Sequence, residues 1–304
     1  MRVLVTGALG FIGGWVSLRL SEAGYEVYGV DNGSRSTFSV EELSERGVRV
    51  ELADLREVCR LEDIFRSVRP NVVIHAAAYV SAEESLRDPV LYAENNVIST
   101  VSVLRASVTF RVSRFVYLSS AAVYGIPRYL PVDEDHPLDP VTPYGASKLA
   151  GEVFVTSFSK AYGIEYVILR PFNVYGPRQS ADNPYSGVVA RFVSRASKGL
   201  PPIIYGSGEQ TRDFVHVLDV CRAVELSMKT AHTRMSYNIG TGKPTTIGRL
   251  ARLVIEMSGL DLEPVHMPQR PGDIPHSYAD ITRARRYLGW EPSISLDEGL
   301  RQLF

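Results

Sequence analysis

The chain has 304 residues, 45% of them hydrophobic and 22% charged, a length at which chains commonly divide into two domains. Its 33 basic and 34 acidic residues leave a net charge of -1, which argues against a nucleic-acid-binding protein and against a partner held electrostatically at a membrane. Only two cysteines occur, Cys59 and Cys221, so we expect neither a disulfide framework nor a metal site.

The first feature along the chain is an uncharged stretch from Val3 to Leu18. It is shorter than the ~20 apolar residues that a membrane-spanning helix needs. Glycines between Gly7 and Gly14 interrupt it, and no small-residue cleavage site of a signal peptide follows. We therefore predict folded structure in a cytoplasmic protein.

Strand-like and helix-like segments alternate over the first 170 residues. Strands are predicted at 3–5, 27–30, 48–52, 72–74, 115–118 and 166–169, and helices at 11–23, 58–68, 90–108 and 144–162. This alternation predicts parallel βαβ units, and continuous apolar strands predict a sheet covered on both faces. The expected fold is α/β, a doubly wound parallel sheet of the Rossmann type with seven strands.

The pattern changes after residue 170. Residues 171–187 are rich in Pro, Gly, Asn and Ser and predict a loop, short strands and helices follow at 203–205, 215–228, 237–239 and 247–258, and 264–275 is rich in proline. We expect a cofactor-binding domain over residues 1–170, with about 214–240 returning to it. Residues 171–213 and 241–304 would form a smaller mixed α/β substrate domain.

A glycine-rich loop joins the first strand to the first helix. The spacing of Gly7, Gly10 and Gly13 lets the backbone turn sharply and approach a pyrophosphate at a helix N-terminus. Asp31 ends the second strand, where its carboxylate would accept both ribose hydroxyls of an adenosine and repel a 2′-phosphate. Glycines also serve ordinary tight turns, but the loop and the aspartate together predict a NAD site. Its neighbours in the chain join the predicted site: Phe11, Ile12 and Asn32.

Two further strand ends carry residues that would lie near the cofactor. Asp54 and Leu55 follow the third strand and would flank the adenine, although a solvated loop aspartate is an equally simple interpretation. Ala76 and Ala77 follow the fourth strand, where small side chains would let the backbone approach the cofactor. A tightly packed strand end explains these alanines almost as well.

Tyr144 and Lys148 are four residues apart in a predicted helix and therefore lie on one face. A free tyrosine has a pKa of ~10, which a neighbouring ammonium can lower by ~1–3 units. Tyr144 would then be a phenolate base, and Lys148 its activator and a ribose ligand. Ser120 follows the fifth strand at the sheet edge where ligands bind, and would relay a proton. An exposed Tyr–Lys pair and a serine that caps its own backbone are the alternatives.

With these motifs in chain order, the sequence resembles the extended short-chain dehydrogenase/reductase family, and more closely the UDP-glucose (UDP-galactose) 4-epimerases. The resemblance covers essentially the whole chain. It rests on the glycine loop, Asp31-Asn32, the Ser-Ser-x-x-Val-Tyr-Gly segment 119–125, Tyr144 with Lys148, and segments 170–176, 208–217, 237–242 and 270–273.

The resemblance implies further site residues. Asn95 and Phe172 match positions of the cofactor pocket. Asn173 matches a residue that touches the substrate diphosphate, and Arg212 and Arg270 match its charge partners, since a guanidinium binds phosphate bidentately. The predicted substrate pocket is completed by Ser186, which falls near a substrate-contacting asparagine of the family, and by Tyr205, Asp273 and Ser277.

Ala121 and Ala122 distinguish between related chemistries. The similar nucleotide-sugar 4,6-dehydratases and decarboxylases carry acidic residues at these places, and alanine cannot move protons. The resemblance therefore implies a NAD-dependent epimerase that inverts C4 of a UDP-hexose by oxidation and hydride return. The alternatives are an epimerase or reductase of another nucleoside-diphosphate sugar, and a non-catalytic NAD-sensing protein, which would be expected to lack Tyr144, Lys148 or Ser120.

Two finer expectations also come from the resemblance. Ser277 matches a position beside the C2 substituent of the sugar, where a serine leaves room that a tyrosine would fill. We therefore expect turnover of UDP-GlcNAc and UDP-GalNAc as well, unless Tyr79, Tyr185 or His276 closes the pocket. The resemblance also implies a homodimer through helices 90–108 and 144–162.

Overall fold

The computed structural model describes residues 1–179, 187–269 and 272–304. At its centre lies a seven-stranded sheet in which all paired strands run parallel. Its strands are β1 (Arg2–Thr6), β2 (Glu26–Asp31), β3 (Arg49–Leu52), β4 (Val72–His75), β5 (Arg114–Leu118), β6 (Glu165–Pro171) and β11 (Met235–Ile239). Their order is β11-β6-β5-β4-β1-β2-β3. The predicted doubly wound parallel sheet is confirmed.

Alternate side chains of each strand pack on opposite faces of this sheet, so the core has two parts. Val3 and Val5 belong to one cluster with α1 (Phe11–Glu22) and α9 (Val217–Lys229). Leu4 belongs to the other, with α3 (Val58–Val68), α6 (Ser99–Thr109) and α7 (Pro143–Tyr162). Burial on both faces explains why these strands read as continuous apolar runs.

The helix predicted at 90–108 is not a single α-helix. It consists of α5 (Pro89–Tyr92), a π-helical segment (Ala93–Ile98) and α6. Segments of this kind frequently occur at functional sites. The helix predicted at 144–162 is regular: Thr142 caps its N-terminus by accepting from the backbone N–H of Gly145, and Gly163 ends it in the left-handed conformation.

Smaller elements form outside this sheet. They comprise two parallel pairs, β7 (Asn173–Tyr175) with β10 (Phe214–His216) and β8 (Ile203–Tyr205) with β13 (Val265–Met267), and one antiparallel pair, β9 (Thr211–Arg212) with β12 (Thr245–Thr246). Helices α8 (Val188–Ser197), α10 (Ile247–Ser258) and α11 (Leu296–Arg301) share a third apolar cluster with β7, β8 and β10. The predicted loop 171–187 is partly wrong, because β7 forms there by pairing with a strand that comes much later in the chain.

Short helices and turns complete the described chain: α2 (Val40–Glu45), α4 (Ala82–Arg87), a 3₁₀ helix (Ala121–Tyr124) and a second π-helical segment (Ala284–Leu288). Buried Asp213 accepts hydrogen bonds from the backbone N–H groups of Thr241, Gly242 and Ala279 at 2.7, 2.9 and 3.1 Å. This carboxylate therefore ties distant segments to the end of β9. Within the described ranges, no helix is long and apolar enough to cross a membrane.

Candidate active site

A cavity of about 450 Å³ opens where the carboxyl ends of β1 and β4 lie side by side. The chain leaves these neighbouring strands in opposite directions along the sheet, and doubly wound sheets bind ligands at this point. The structure brings every residue predicted to contact NAD to the wall of this one cavity: Gly7, Gly10, Phe11, Ile12, Gly13, Asp31, Asn32, Asp54, Leu55, Ala76, Ala77, Asn95, Tyr144, Lys148 and Phe172.

The glycine loop is packed too closely for side chains. Gly7 has a φ of +70°, and a Cβ there would lie 2.7 Å from Cα of Ala77. A Cβ on Gly13 would lie 2.0 Å from the carbonyl oxygen of Gly7, so the helix starts directly against the loop. No side chain of the described residues caps the N-terminus of α1, which leaves its first N–H groups and its positive dipole end for an anion in the cavity.

Asp31 fixes the glycine loop against the end of β2. Its carboxylate accepts from the backbone N–H of Leu9 at 3.0 Å and of Gly33 at 2.8 Å. Asp54 lies further along the cavity wall, and hydrogen bonds from Arg56 hold the pKa of its carboxyl below the usual value. Acceptors at the β2 end and free N–H groups at the α1 end form a donor and acceptor set that fits NAD and disfavours a 2′-phosphate.

Lys148 is buried at the end of the cavity formed by β5 and α7. Its Nζ donates to the carbonyl oxygen of Leu118 at 2.6 Å. Burial lowers the pKa of Lys148 to about 7, and the nearby Glu152 carboxylate opposes that fall. Its ammonium and amine forms are therefore of similar free energy near neutral pH.

Tyr144 departs from the predicted chemistry in one respect. Burial raises the pKa of its hydroxyl, and a hydrogen bond with the Ser120 hydroxyl opposes this effect. The expected lowering of the pKa by Lys148 is not found, because the Lys148 amino group is directed at a backbone carbonyl, and burial alone raises the pKa. Ser120 also caps the 3₁₀ helix by accepting from the N–H of Ala122 at 3.1 Å, so it lies against Tyr144 and caps its own backbone.

A buried polar network underlies Lys148. Glu152 accepts from Nε and Nη2 of Arg170 at 2.9 and 2.7 Å and from the Ser119 hydroxyl at 2.5 Å. Arg170 also donates to the hydroxyl oxygen of Tyr124 at 2.9 Å. Sequence reasoning missed Glu152, although its place one turn after Lys148 on the same helix face was a usable signal.

A second cavity of about 260 Å³ lies beside the first. Four predicted substrate residues line it: Asn173, Tyr205, Arg212 and Asp273. Arg212 donates to Asp273 at 2.6 Å, which fixes the guanidinium in the wall. Ser81 and Gly187 line both cavities, so the two are adjacent at these residues. Sequence reasoning missed other lining residues: Ser81, Glu83 and Arg191, which belong to no motif, and Gln210, which lies in segment 208–217 and was given no role.

Three further predicted substrate residues are Ser186, Arg270 and Ser277. Ser186 and Arg270 lie outside the described residues, as does Tyr185. Ser277 lies beside the second cavity and does not line it: its N–H donates to the carbonyl oxygen of Thr211 at 3.2 Å, one residue before Arg212. The pairing of this segment with β9 decides its position.

The profile of a protein family described as GDP-mannose 4,6 dehydratase matches residues 4–303. A putative UDP-glucose 4-epimerase of Methanocaldococcus jannaschii is 39% identical over 99% of this chain and 96% of its own length. Three solved structures are similar. The Thermotoga maritima UDP-glucose 4-epimerase with UDP-glucose has a TM-score of 0.95 and 40% identity, covering 100% of this chain and 97% of its own.

The second structure is a UDP-N-acetylglucosamine 4-epimerase from Methanobrevibacter ruminantium, with a TM-score of 0.93 and 34% identity over 99% of this chain and 96% of its own. The third is the Thermus thermophilus UDP-glucose 4-epimerase in complex with NAD, with a TM-score of 0.92 and 36% identity over 100% of this chain and 97% of its own.

Proposed function

The chain belongs to the GDP-mannose 4,6 dehydratase family within the extended short-chain dehydrogenases/reductases, and on that premise we propose that it is a NAD-dependent UDP-glucose 4-epimerase. The observation that carries this proposal is the adjacency of the two cavities. One holds a NAD-type donor and acceptor set beside Tyr144, and the other holds Arg212 and Asn173. The acid and base that a 4,6-dehydration needs are replaced by Ala121 and Ala122.

Bound NAD supplies reversible acceptance of the hydride from C4 of the sugar. Because the hydride returns to the sugar, the net redox change is zero. Tyr144 removes the proton from the 4-hydroxyl group, through or beside Ser120, and later gives a proton back. Because burial raises the pKa of Tyr144, its phenolate needs a positive charge nearby. Lys148 lies in the same cavity wall and would supply that charge once its ammonium turns from the Leu118 carbonyl oxygen toward the hydroxyl.

The second cavity holds the nucleotide part of the substrate while the sugar turns. Arg212, fixed by Asp273, would bind the diphosphate through its planar guanidinium, and Asn173 would donate to the same group. Inversion requires the 4-keto sugar to present its opposite face to the hydride. A firmly held diphosphate allows this rotation without release of the intermediate.

The test is replacement of Tyr144 by Phe, which keeps the ring and removes the titrating oxygen. We expect turnover of UDP-galactose to be lost while the fold and the bound NAD are retained. Tyr162→Phe is the matched control, since this exposed tyrosine ends the same helix. Near-normal epimerase activity in Tyr144→Phe would remove Tyr144 from the mechanism. The absence of turnover in both the parent and the control would refute the proposed function.

The same site is proposed to accept UDP-GlcNAc and UDP-GalNAc. This extension is supported by the similarity to an epimerase named for UDP-N-acetylglucosamine. Measuring kcat/KM for both pairs of sugars in the parent protein tests it. A parent that turns over UDP-galactose and ignores the N-acetyl sugars would contradict it.

We also propose that the protein is a cytoplasmic homodimer. Helices α5–α7 and the π-helical segment between α5 and α6 expose apolar side chains, which support an interface there. The most exposed are Val90, Ile98, Val153 and Tyr162. Sedimentation of the parent and of Val153→Glu tests the dimer, and a monomeric parent would refute it. The division into residues 1–170 with 214–240, and 171–213 with 241–304, belongs to the same proposal.

A further inference from the structure

The geometry points to Arg35 as a residue that closes the cofactor cavity and slows the release of NAD, an inference that rests on the proposed NAD-dependent function. The Arg35 guanidinium lies 3.9 Å from the centroid of the Tyr79 ring. Its Nη2 donates to the Glu84 carboxylate at 2.6 Å. Arg35 and Tyr79 both line the cavity.

The sheet order shows what this contact spans. Arg35 follows β2, whereas Tyr79 and Glu84 follow β4, and β1 lies between those two strands. A contact between the two loops therefore crosses the carboxyl end of β1, where the glycine loop begins. The loop after β2 also folds back onto this end, because the N–H groups of Thr37 and Phe38 donate to the Leu9 carbonyl oxygen at 2.7 and 3.1 Å.

The two sides of the contact are held differently. The backbone of Tyr79 is fixed on both sides by Asn96, which accepts from its N–H at 2.8 Å and donates to its carbonyl oxygen at 2.9 Å. Glu84 is fixed by a hydrogen bond from Tyr92 at 2.7 Å. Residues 32–36 are exposed, so the arginine side is the one that can open.

A second observation places the same loop against the cofactor. The hydroxyl of Thr37 is buried, lines the cavity and has no hydrogen-bond partner among the described residues. Buried hydroxyls normally have a partner, and a phosphate oxygen at the glycine loop would supply one. The loop from Arg35 to Thr37 would therefore cover the pyrophosphate, and NAD would leave only after Arg35 separates from Tyr79 and Glu84.

The test measures exchange of bound NAD. The protein is loaded with radiolabelled NAD and diluted into a large excess of unlabelled NAD, and the label that stays bound is followed over time. Arg35→Ala removes the ring contact and the ion pair, for which we expect about tenfold faster release. Arg35→Gln keeps the aliphatic stem and loses the charge, so it should also speed the release of NAD. It takes the place of Arg35→Ala in the test if the alanine variant does not fold.

Two controls separate this effect from a general loss of a charged contact. Arg66 also pairs with an acidic residue, Asp63, and lies 6.0 Å from the centroid of the Phe110 ring, away from both cavities. Arg66→Ala should release NAD at the parent's rate. Tyr79→Phe keeps the ring and removes only the hydroxyl that donates to Ser34 at 3.4 Å, so it should speed release less than Arg35→Ala.

Release at the parent's rate from both Arg35 variants would overturn the inference and leave the proposed function intact. Equal acceleration in Arg66→Ala would overturn it as well, since the effect would then not depend on the cavity. A parent protein that binds no NAD would overturn the proposed function and this inference with it.

Discussion

Replacement of Glu152 by Gln tests the buried network beneath Lys148. The side chains of Glu152 and Arg170 are each only 5% exposed, so they form a buried ion pair. The substituted glutamine would keep the size of the side chain and lose its charge, and one of its two polar atoms would become a donor facing the guanidinium. Arg170 would remain charged with its main partner gone.

The structure sets the size of the expected loss. Two charge-assisted hydrogen bonds to Arg170 at 2.9 and 2.7 Å are broken or weakened, together with the bond from Ser119. Breaking a buried pair by removing one partner costs about 3–5 kcal/mol, because an uncompensated charge stays buried. That is a large share of a typical free energy of unfolding of about 5–15 kcal/mol.

The assay is urea-induced unfolding of parent and variants at one fixed NAD concentration, since bound ligand adds to the apparent stability. Glu225→Gln is the matched control, because Glu225 pairs with Lys229 at 2.9 Å on a partly exposed helix face, where the loss should be below about 1 kcal/mol. Arg170→Gln and the double variant complete a cycle, and the double variant should recover part of the loss. A Glu152→Gln loss no larger than that of Glu225→Gln would refute the reasoning.

The same variant has a consequence for the pH dependence of activity. Burial lowers the pKa of Lys148 to about 7, and the Glu152 charge raises it, so removing that charge lowers the pKa further. Lys148 is an ammonium below its pKa, and its charge would then be lost at a lower pH. The alkaline fall of kcat/KM should therefore move to lower pH in Glu152→Gln, and an unmoved or upward-shifted fall would contradict the role of the ammonium.

Three further substitutions test the cofactor and substrate assignments. Asp31→Ala should weaken NAD binding by at least about tenfold, since hydrogen bonds to a charged acceptor are lost, and Asp31→Asn should weaken it less. A NAD affinity of Asp31→Ala equal to that of the parent, measured by calorimetry, would count against the ribose assignment. Gly13→Ala should abolish NAD retention, because its Cβ would lie 2.0 Å from a backbone oxygen, whereas Gly248→Ala, with 3.4 Å of room, should be tolerated. The measurement is the NAD content of each purified variant. Equal NAD content in Gly13→Ala and Gly248→Ala would contradict the role of the glycine loop. Ser277→Tyr should lower kcat/KM for UDP-GlcNAc more than for UDP-galactose; equal effects on both would show that this residue, which stands beside the cavity wall, does not select the sugar.

The sequence alone determined the fold class and identified the residues predicted to bind NAD, which line the first cavity. Apolar runs separated by helical periodicity predict parallel βαβ units, and the helices at 58–68 and 247–258 were placed at their observed bounds. The sequence also predicted three local features: the glycine spacing, Asp31, and the pair of Tyr144 and Lys148. Each lies within one local element, whose geometry follows from a few neighbouring residues.

Tertiary structure decided what depends on residues far apart in the chain. Strand β7 exists because β10 pairs with it, and Ser277 stands outside the cavity wall because its segment pairs with β9. No local pattern relates Arg35 to Tyr79 or Glu152 to Arg170. The pKa of Tyr144 is likewise raised where the sequence predicted a fall, because desolvation is a property of everything packed around the hydroxyl and not of its neighbours on one helix.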